Sequence, residues 1–117
     1  MPHLVLEASA NIVESNERVR KILQECQELL TQQLPTQLAS CKSRCVLHDL
    51  FVVGDANPKN AFVHLEVKVL AGRSQELLNL IAQQLHNLLT QEFNKSSQTF
   101  NLAISVEIVE LTTSFVK

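Results

Sequence analysis

The chain has little of what many ligand sites are built from. Its 117 residues include no Trp, no Tyr and only two Gly. Side chains that stack on bases or sugars are therefore scarce, and a glycine-rich phosphate loop is excluded. No run of Lys or Arg forms a basic stripe, and the formal net charge is -2. The composition therefore gives no indication of a nucleic-acid partner.

Signals for targeting, membrane insertion and disulfides are also missing. No apolar run approaches the length of a membrane span, and the first residues lack the pattern of a signal peptide. The three cysteines, Cys26, Cys41 and Cys45, are an odd number, and the spacing of Cys41 and Cys45 fits no reliable zinc pattern. We expect a cytoplasmic protein with reduced thiols, no membrane partner and no metal. The length predicts one domain over residues 1–117.

The predicted elements occur in the same order twice. Alternating apolar residues predict four strands, at His3–Ala8, Cys45–Val53, Ala61–Val69 and Asn101–Leu111. Apolar stripes predict two helices, from Ser15 or Asn16 to about Leu34 and from Ser74 to about Phe93. At an offset of 59 residues, the Leu-Leu-Thr-Gln sequence that begins at Leu29 recurs at Leu88. We predict a duplication, with repeats at 2–58 and 60–111.

A β-α-β unit that repeats in this way predicts an α+β fold. Each crossover makes its two strands parallel and places the helix on one face. The two units together predict a four-stranded mixed sheet with pseudo-twofold symmetry and two helices on one face. The other face is predicted to be rich in apolar side chains and buried against copies of the chain.

Pro2 is the residue with the most unusual chemical option. Methionine aminopeptidase removes Met1 when the next side chain is small, which would leave Pro2 with a free secondary amine. Such an amine can act as a base if its surroundings lower its pKa. The alternative is ordinary, since Pro is common at the first residue of a strand.

Arg73 is the candidate partner of Pro2. Under the pseudo-twofold, the first and third strands run antiparallel, which places Ala71–Ser74 near Pro2. Arg73 stands at the start of a helix, where free N–H groups favour anions. It could hold a substrate carboxylate or polarise a carbonyl. As an alternative, Arg73 is a solvated residue at a helix start.

Four segments carry a resemblance to a known family. They are Met1–Glu7 with Asn11-Ile12 after it, Ala61–His64, Ala71–Ser74 and Val106–Leu111. In these segments the chain resembles the 5-carboxymethyl-2-hydroxymuconate isomerases of the tautomerase superfamily, whose fold is that of macrophage migration inhibitory factor. The resemblance implies a homotrimer of fused β-α-β units. It also implies an isomerase that ketonises dienols of an aromatic-degradation pathway with its N-terminal proline and without a metal or cofactor.

The resemblance also implies roles for individual residues. Pro2 would be the general base and acid, and Arg73 would bind a carboxylate or the enolate of a small unsaturated 2-hydroxy or 2-oxo acid. Arg44 matches an arginine that related short tautomerases use. Lys42 stands where the family often has another arginine, which keeps the charge but not the bidentate fork. Ala61 occupies the place of Pro2 in the second repeat, so one site per subunit is expected.

Two other functions remain open at this point. The first is a non-catalytic, ferredoxin-like oligomer that binds a small acid and in which Pro2 is incidental. The second keeps the scaffold but hydrates or dehalogenates an unsaturated acid, because the same amine and arginines could activate water. Substrate profiling distinguishes them.

Overall fold

Four strands, two long helices and one short helix make up the chain, which a computed structural model describes over residues 1–117. In chain order they are β1 His3–Ser9, α1 Asn16–Gln33, β2 Lys42–His48, β3 Asn60–Val69, α2 Gln75–Glu92, α3 Asn94–Thr99 and β4 Asn101–Glu110. A single 3₁₀ turn, Leu38–Ser40, leads into β2. No helix of the structure combines the length and the hydropathy that a membrane crossing requires.

Serine caps fix the starts of the two long helices. The Ser15 hydroxyl accepts a hydrogen bond from the backbone N–H of Arg18 at 3.1 Å, and the Ser74 hydroxyl accepts one from Leu77 at 3.2 Å. Each bond satisfies one of the backbone donors that a helix start leaves free. Both ends of α2 lie 59 residues after the corresponding ends of α1. This offset equals the predicted one and supports the repeat, which stays a prediction.

The sheet has the strand order β2-β1-β3-β4. β1 pairs in parallel with β2 and antiparallel with β3, and β3 pairs in parallel with β4. The predicted four-stranded mixed sheet is thereby confirmed. In this register His3 lies between Lys42 on one side and Lys68 on the other. The start of β1 therefore lies between the start of β2 and the end of β3. We call this end of the sheet, where the three strand ends meet, the edge at which β1 begins.

The core fills the space between the sheet and the two long helices. Alternate residues of β3 point into it, and Val63, Leu65 and Val67 have no exposed surface. The predicted helix stripes are buried as well, except that Leu29 and Leu88 are only partly covered while packing against the core. The apolar residues of the strands, which alternate with period 2, and those of the helices, which recur with period 3.6, thus form one apolar layer.

The predicted bounds of the second strand are wrong. We predicted Cys45–Val53, whereas β2 is Lys42–His48. Its neighbour β1 ends at Ser9, which pairs with His48, so the residues that follow have no strand to bond with. The apolar run after His48 is a loop instead, and the Leu50 side chain is 96% exposed.

The prediction of an apolar second sheet face is also wrong. The alternation that sends apolar residues to the helices leaves mostly polar residues on the other side. On this face, His48 Nε2 of β2 lies 2.8 Å from a Glu7 carboxylate oxygen of β1. Likewise, His64 Nδ1 of β3 lies 2.6 Å from the Ser105 hydroxyl of β4. These four polar side chains of the face are thus paired with one another.

The short helix α3 has no counterpart in the prediction. Its buried Ser96 accepts a hydrogen bond from the backbone N–H of Val13 at 2.9 Å, and its own N–H donates to Glu14 at 3.1 Å. The segment is polar and one turn and a half long, so it has no apolar stripe that could predict a helix.

Candidate active site

The side chain of Pro2 is fully buried at the edge of the sheet where β1 begins. Its carbonyl oxygen accepts a hydrogen bond from the backbone N–H of Lys42 at 3.1 Å. A proline here removes no donor from the strand ladder, because it stands before the first paired residue. The backbone of Pro2 is therefore held by β2, and its side chain is covered from solvent.

The pKa of the Met1 amine shows how burial and nearby charges act at this edge. Burial lowers the pKa of the amine below its ordinary 8.0, and the charges of Lys117, Arg73 and Lys42 lower it further, while Cys41 acts in the opposite direction. Desolvation and nearby positive charge both disfavour an ammonium ion. The edge therefore disfavours the charged form of an amine, and three of its neighbours are cations.

Arg73 reaches the edge through a sharp turn after β3. Gly72 has a φ of +112°, a conformation that side chains other than glycine rarely adopt, and its N–H donates to a Glu110 carboxylate oxygen at 3.2 Å. The guanidinium of Arg73 donates to the Leu70 carbonyl at 3.1 Å. Ser74 then caps α2, so Arg73 is the last residue before a helix N-terminus.

Lys42 and Arg44 both come from β2, but they occupy different places. The Lys42 ammonium lies 3.5 Å from the sulfur of Met1. Arg44 lies two residues farther along the strand, and its Nη1 is 3.1 Å from Nδ1 of His3. Arg44 is not among the charges that shift the pKa of the Met1 amine. Of the predicted residues, Pro2, Arg73 and Lys42 thus lie together, and Arg44 joins them through His3.

Three residues at this edge were not predicted. The chain after β4 starts beside the end of β3, with its Leu111 N–H donating to the Val69 carbonyl at 2.7 Å. It brings the Phe115 ring edge-on to His3, at a centroid distance of 6.2 Å, and the Lys117 charge within range of the amine. The third is Cys41, whose own pKa is raised by burial. A short tail without periodicity gives no sequence signal for such contacts.

A groove of about 430 Å³ lies nearby, between the edge strand β2 and α1. Arg44 and Arg20 line it, together with Ser43 and Cys45. Neither Pro2 nor Arg73 is among its lining residues, so this groove is separate from the amine.

The arrangement is suited to proton transfer on a small acid. A neutral amine can accept a proton and return it. Fixed cations can hold a carboxylate and stabilise an oxygen that becomes negative. His, Cys, Asp and Glu side chains form no group of three that could hold a metal ion.

Comparisons with known proteins give the family. The family model for 5-carboxymethyl-2-hydroxymuconate isomerase matches residues 2–117. The chain is 31% identical to the 5-carboxymethyl-2-hydroxymuconate Delta-isomerase of Escherichia coli, over 95% of this chain and 87% of the relative.

Solved structures agree with the family in fold. A crystal structure of a 5-carboxymethyl-2-hydroxymuconate isomerase from Deinococcus radiodurans R1 is 28% identical, with a TM-score of 0.87 over 99% of this chain and 88% of that one. A macrophage migration inhibitory factor-like protein from Entamoeba histolytica is 18% identical, with a TM-score of 0.68 over 99% and 94%. The second likeness is one of fold, and it confirms the predicted α+β architecture. The chain belongs to the 5-carboxymethyl-2-hydroxymuconate isomerase family and is an isomerase.

Proposed function

We propose that the protein is a cofactor-independent tautomerase in which Pro2, freed by removal of Met1, is the general base and acid. The observation that carries this is the burial of Pro2 beside an amine whose pKa is already lowered. Loss of Met1 places the free amine at Pro2, whose side chain is fully buried while Met1 is attached. To the extent that the Pro2 amine stays covered, its charged form is disfavoured.

The proposed substrate is a small unsaturated 2-hydroxy acid of the 5-carboxymethyl-2-hydroxymuconate type, as in aromatic catabolism. The neutral Pro2 nitrogen takes the proton of the enol hydroxyl, and the oxygen electrons form the C=O bond. The electrons of the C=C bond move along the conjugated chain to a distal carbon, which receives the proton back from Pro2. The product is an isomer, so no atom is gained or lost.

Three cationic side chains bind the carboxylates of the substrate and stabilise the negative charge that develops on it. Arg73 binds the carboxylate next to the reacting oxygen, because its planar fork fits two oxygens and it stands before the free N–H groups of α2. Lys42 stabilises developing negative charge as a point charge, and removal of Met1 also removes the sulfur that its ammonium now contacts. Arg44, next to His3, binds a second carboxylate of the substrate.

We also propose that the protein is a cytoplasmic homotrimer. A fused 4-OT that is named as a symmetric trimer has this fold, with a TM-score of 0.74 over 97% of this chain and 89% of that one, at 15% identity. β2 and β4 are unpaired edges, and the exposed Leu50 and Val52 follow one of them. The three free thiols fit a reducing compartment.

The decisive experiment varies the N-terminus and leaves every side chain in place. Untagged protein whose loss of Met1 is verified by intact mass is compared with protein that carries two extra residues before Pro2. In the extended form Pro2 is an amide nitrogen and has no basic lone pair. Ketonisation of a 2-hydroxydienoate, followed by ultraviolet absorbance, should fall about 100-fold to 10,000-fold.

Two controls complete this experiment. The extended protein must keep the oligomeric state and the unfolding midpoint of the processed one, which shows that the extension does not disturb the fold. Pro2→Ala on processed protein keeps an amine and should lose less activity than the extension does. Equal rates for the extended and the processed protein would rule out Pro2 as the base.

A further inference from the structure

Next to Pro2, the imidazole of His3 is held between a guanidinium and a phenyl ring. Its Nδ1 lies 3.1 Å from Nη1 of Arg44, and the Phe115 ring meets it edge-on at 6.2 Å with an interplanar angle of 77°. A guanidinium has donors and no acceptor, so Nδ1 must be the accepting nitrogen. His3 is therefore neutral in this contact and carries its proton on Nε2.

The charges around His3 favour the same state. His3 lies in register with Lys42 of β2 and Lys68 of β3, and Arg44 and the amine of Met1 are also near. Burial lowers the pKa of His3, and the charges of Arg44, Lys42, Lys68 and the amine lower it further. Glu66, which pairs with Val5 in the register, lies 3.8 Å from the Lys68 ammonium.

We infer that His3 is a positioning residue that holds the guanidinium of Arg44 at the edge of the candidate site. The contact occupies one of the five N–H groups of Arg44 and leaves the others for a substrate carboxylate. When His3 is protonated, Nδ1 no longer accepts and the two cations repel each other. Substrate binding through Arg44 should then weaken in acid. This inference rests on the proposed substrate role of Arg44.

The test uses two substitutions of His3 in processed protein. His3→Asn keeps an accepting oxygen close to the place of Nδ1 but does not titrate, and His3→Leu keeps apolar bulk without an acceptor. For a dicarboxylate dienol, His3→Leu should raise KM about 10-fold, as expected for a lost hydrogen bond to a charged group. Because the bond is to Arg44 and not to the reacting atoms, kcat should stay within about 2-fold.

The pH profile separates positioning from packing. As the pH falls below the pKa of His3, KM should rise more in the wild type than in His3→Asn, because only the wild type adds the titration of His3 to that of Pro2. A rise of the same size in His3→Asn would overturn the inference. An unchanged KM in His3→Leu would do so too.

A second readout does not depend on turnover. The ¹⁵N shifts of the imidazole should show the Nε2–H tautomer of His3, and Arg44→Ala should raise the pKa of His3 and abolish that tautomer preference. An Nδ1–H tautomer in the wild type overturns the inference. An unchanged KM in Arg44→Ala overturns the role of Arg44 and the inference together. A raised KM in Arg44→Ala with a normal KM in His3→Leu overturns the inference alone. The experiment with the extended N-terminus concerns Pro2 and is decided separately.

Discussion

Ser74 caps α2 directly after Arg73. Substituting it, and substituting the matching cap Ser15 of α1 as a control, therefore tests whether the helix start positions Arg73. Ser74→Ala removes the hydroxyl that accepts from Leu77, and Ser15→Ala removes the one that accepts from Arg18, 59 residues earlier. The two caps have the same geometry, but only Ser74 lies at the edge with Pro2. We expect equal losses of stability and unequal losses of activity.

The size of the stability loss follows from the cap and the chain length. Replacing a serine N-cap by alanine costs about 1 kcal/mol. Unfolding 117 residues, at about 2.1 cal/mol/K per residue near 60 °C, gives an unfolding entropy of roughly 0.25 kcal/mol/K. Each variant should therefore lower Tm by about 4 °C. Both must be measured at one protomer concentration, because assembly contributes to apparent stability.

The activity loss follows from the place of Arg73. Without its cap the first turn of α2 frays, and Arg73 loses the fixed helix start on which it stands. A displacement of about 1 Å can cost on the order of 100-fold in rate. We expect kcat/KM of Ser74→Ala to fall at least about 10-fold, with Ser15→Ala unchanged. Arg73→Ala combined with Ser74→Ala should be no slower than Arg73→Ala. Equal kcat/KM in the two serine variants would refute this reasoning.

Three further predictions concern the core, a thiol and pH. Leu65→Ala, in the core, should cost about 2–5 kcal/mol in denaturant unfolding. Burial raises the pKa of Cys26 to about 12, so a thiol reagent at neutral pH should modify it only after unfolding, and fast labelling of folded protein would contradict this. With the neutral Pro2 amine as the proposed base, kcat/KM should rise as the pH rises through the pKa of Pro2. Arg73→Ala removes a positive charge, raises that pKa and should move the rise to higher pH. A rise at unchanged pH would show that Arg73 does not act on the amine.

The elements that the sequence predicted well are those with local causes. Strict alternation in β3 predicts which side chains reach the core, and serine followed by an apolar stripe predicts each helix start. The antiparallel pairing of β1 and β3 then brings Arg73 near Pro2 from topology alone. The proximity could therefore be predicted, whereas the roles of the two residues remain proposals.

The features that the sequence did not predict depend on distant parts of the chain. β2 stops at His48 because β1 stops opposite it, and the apolar residues that follow look like more strand. The contact of His3 with Arg44 needs the register of two strands, and its contact with Phe115 needs the path of the tail. None of these has a period or a spacing that could reveal it.

If the predicted repeats are equivalent, their corresponding residues lie at opposite ends of the strands, and the differences between them favour one site per protomer. The equivalent of Pro2 is Ala61, an internal amide without a basic lone pair, and the equivalent of Arg73 is Glu14. The carboxylate of Glu14 already accepts from the hydroxyl and the N–H of Ser96, and its charge repels an acid. Calorimetric titration with a 2-oxo dicarboxylic acid should therefore give one site per protomer, and Glu14→Arg should add no activity because the edge lacks a base. Two equal sites would contradict this division.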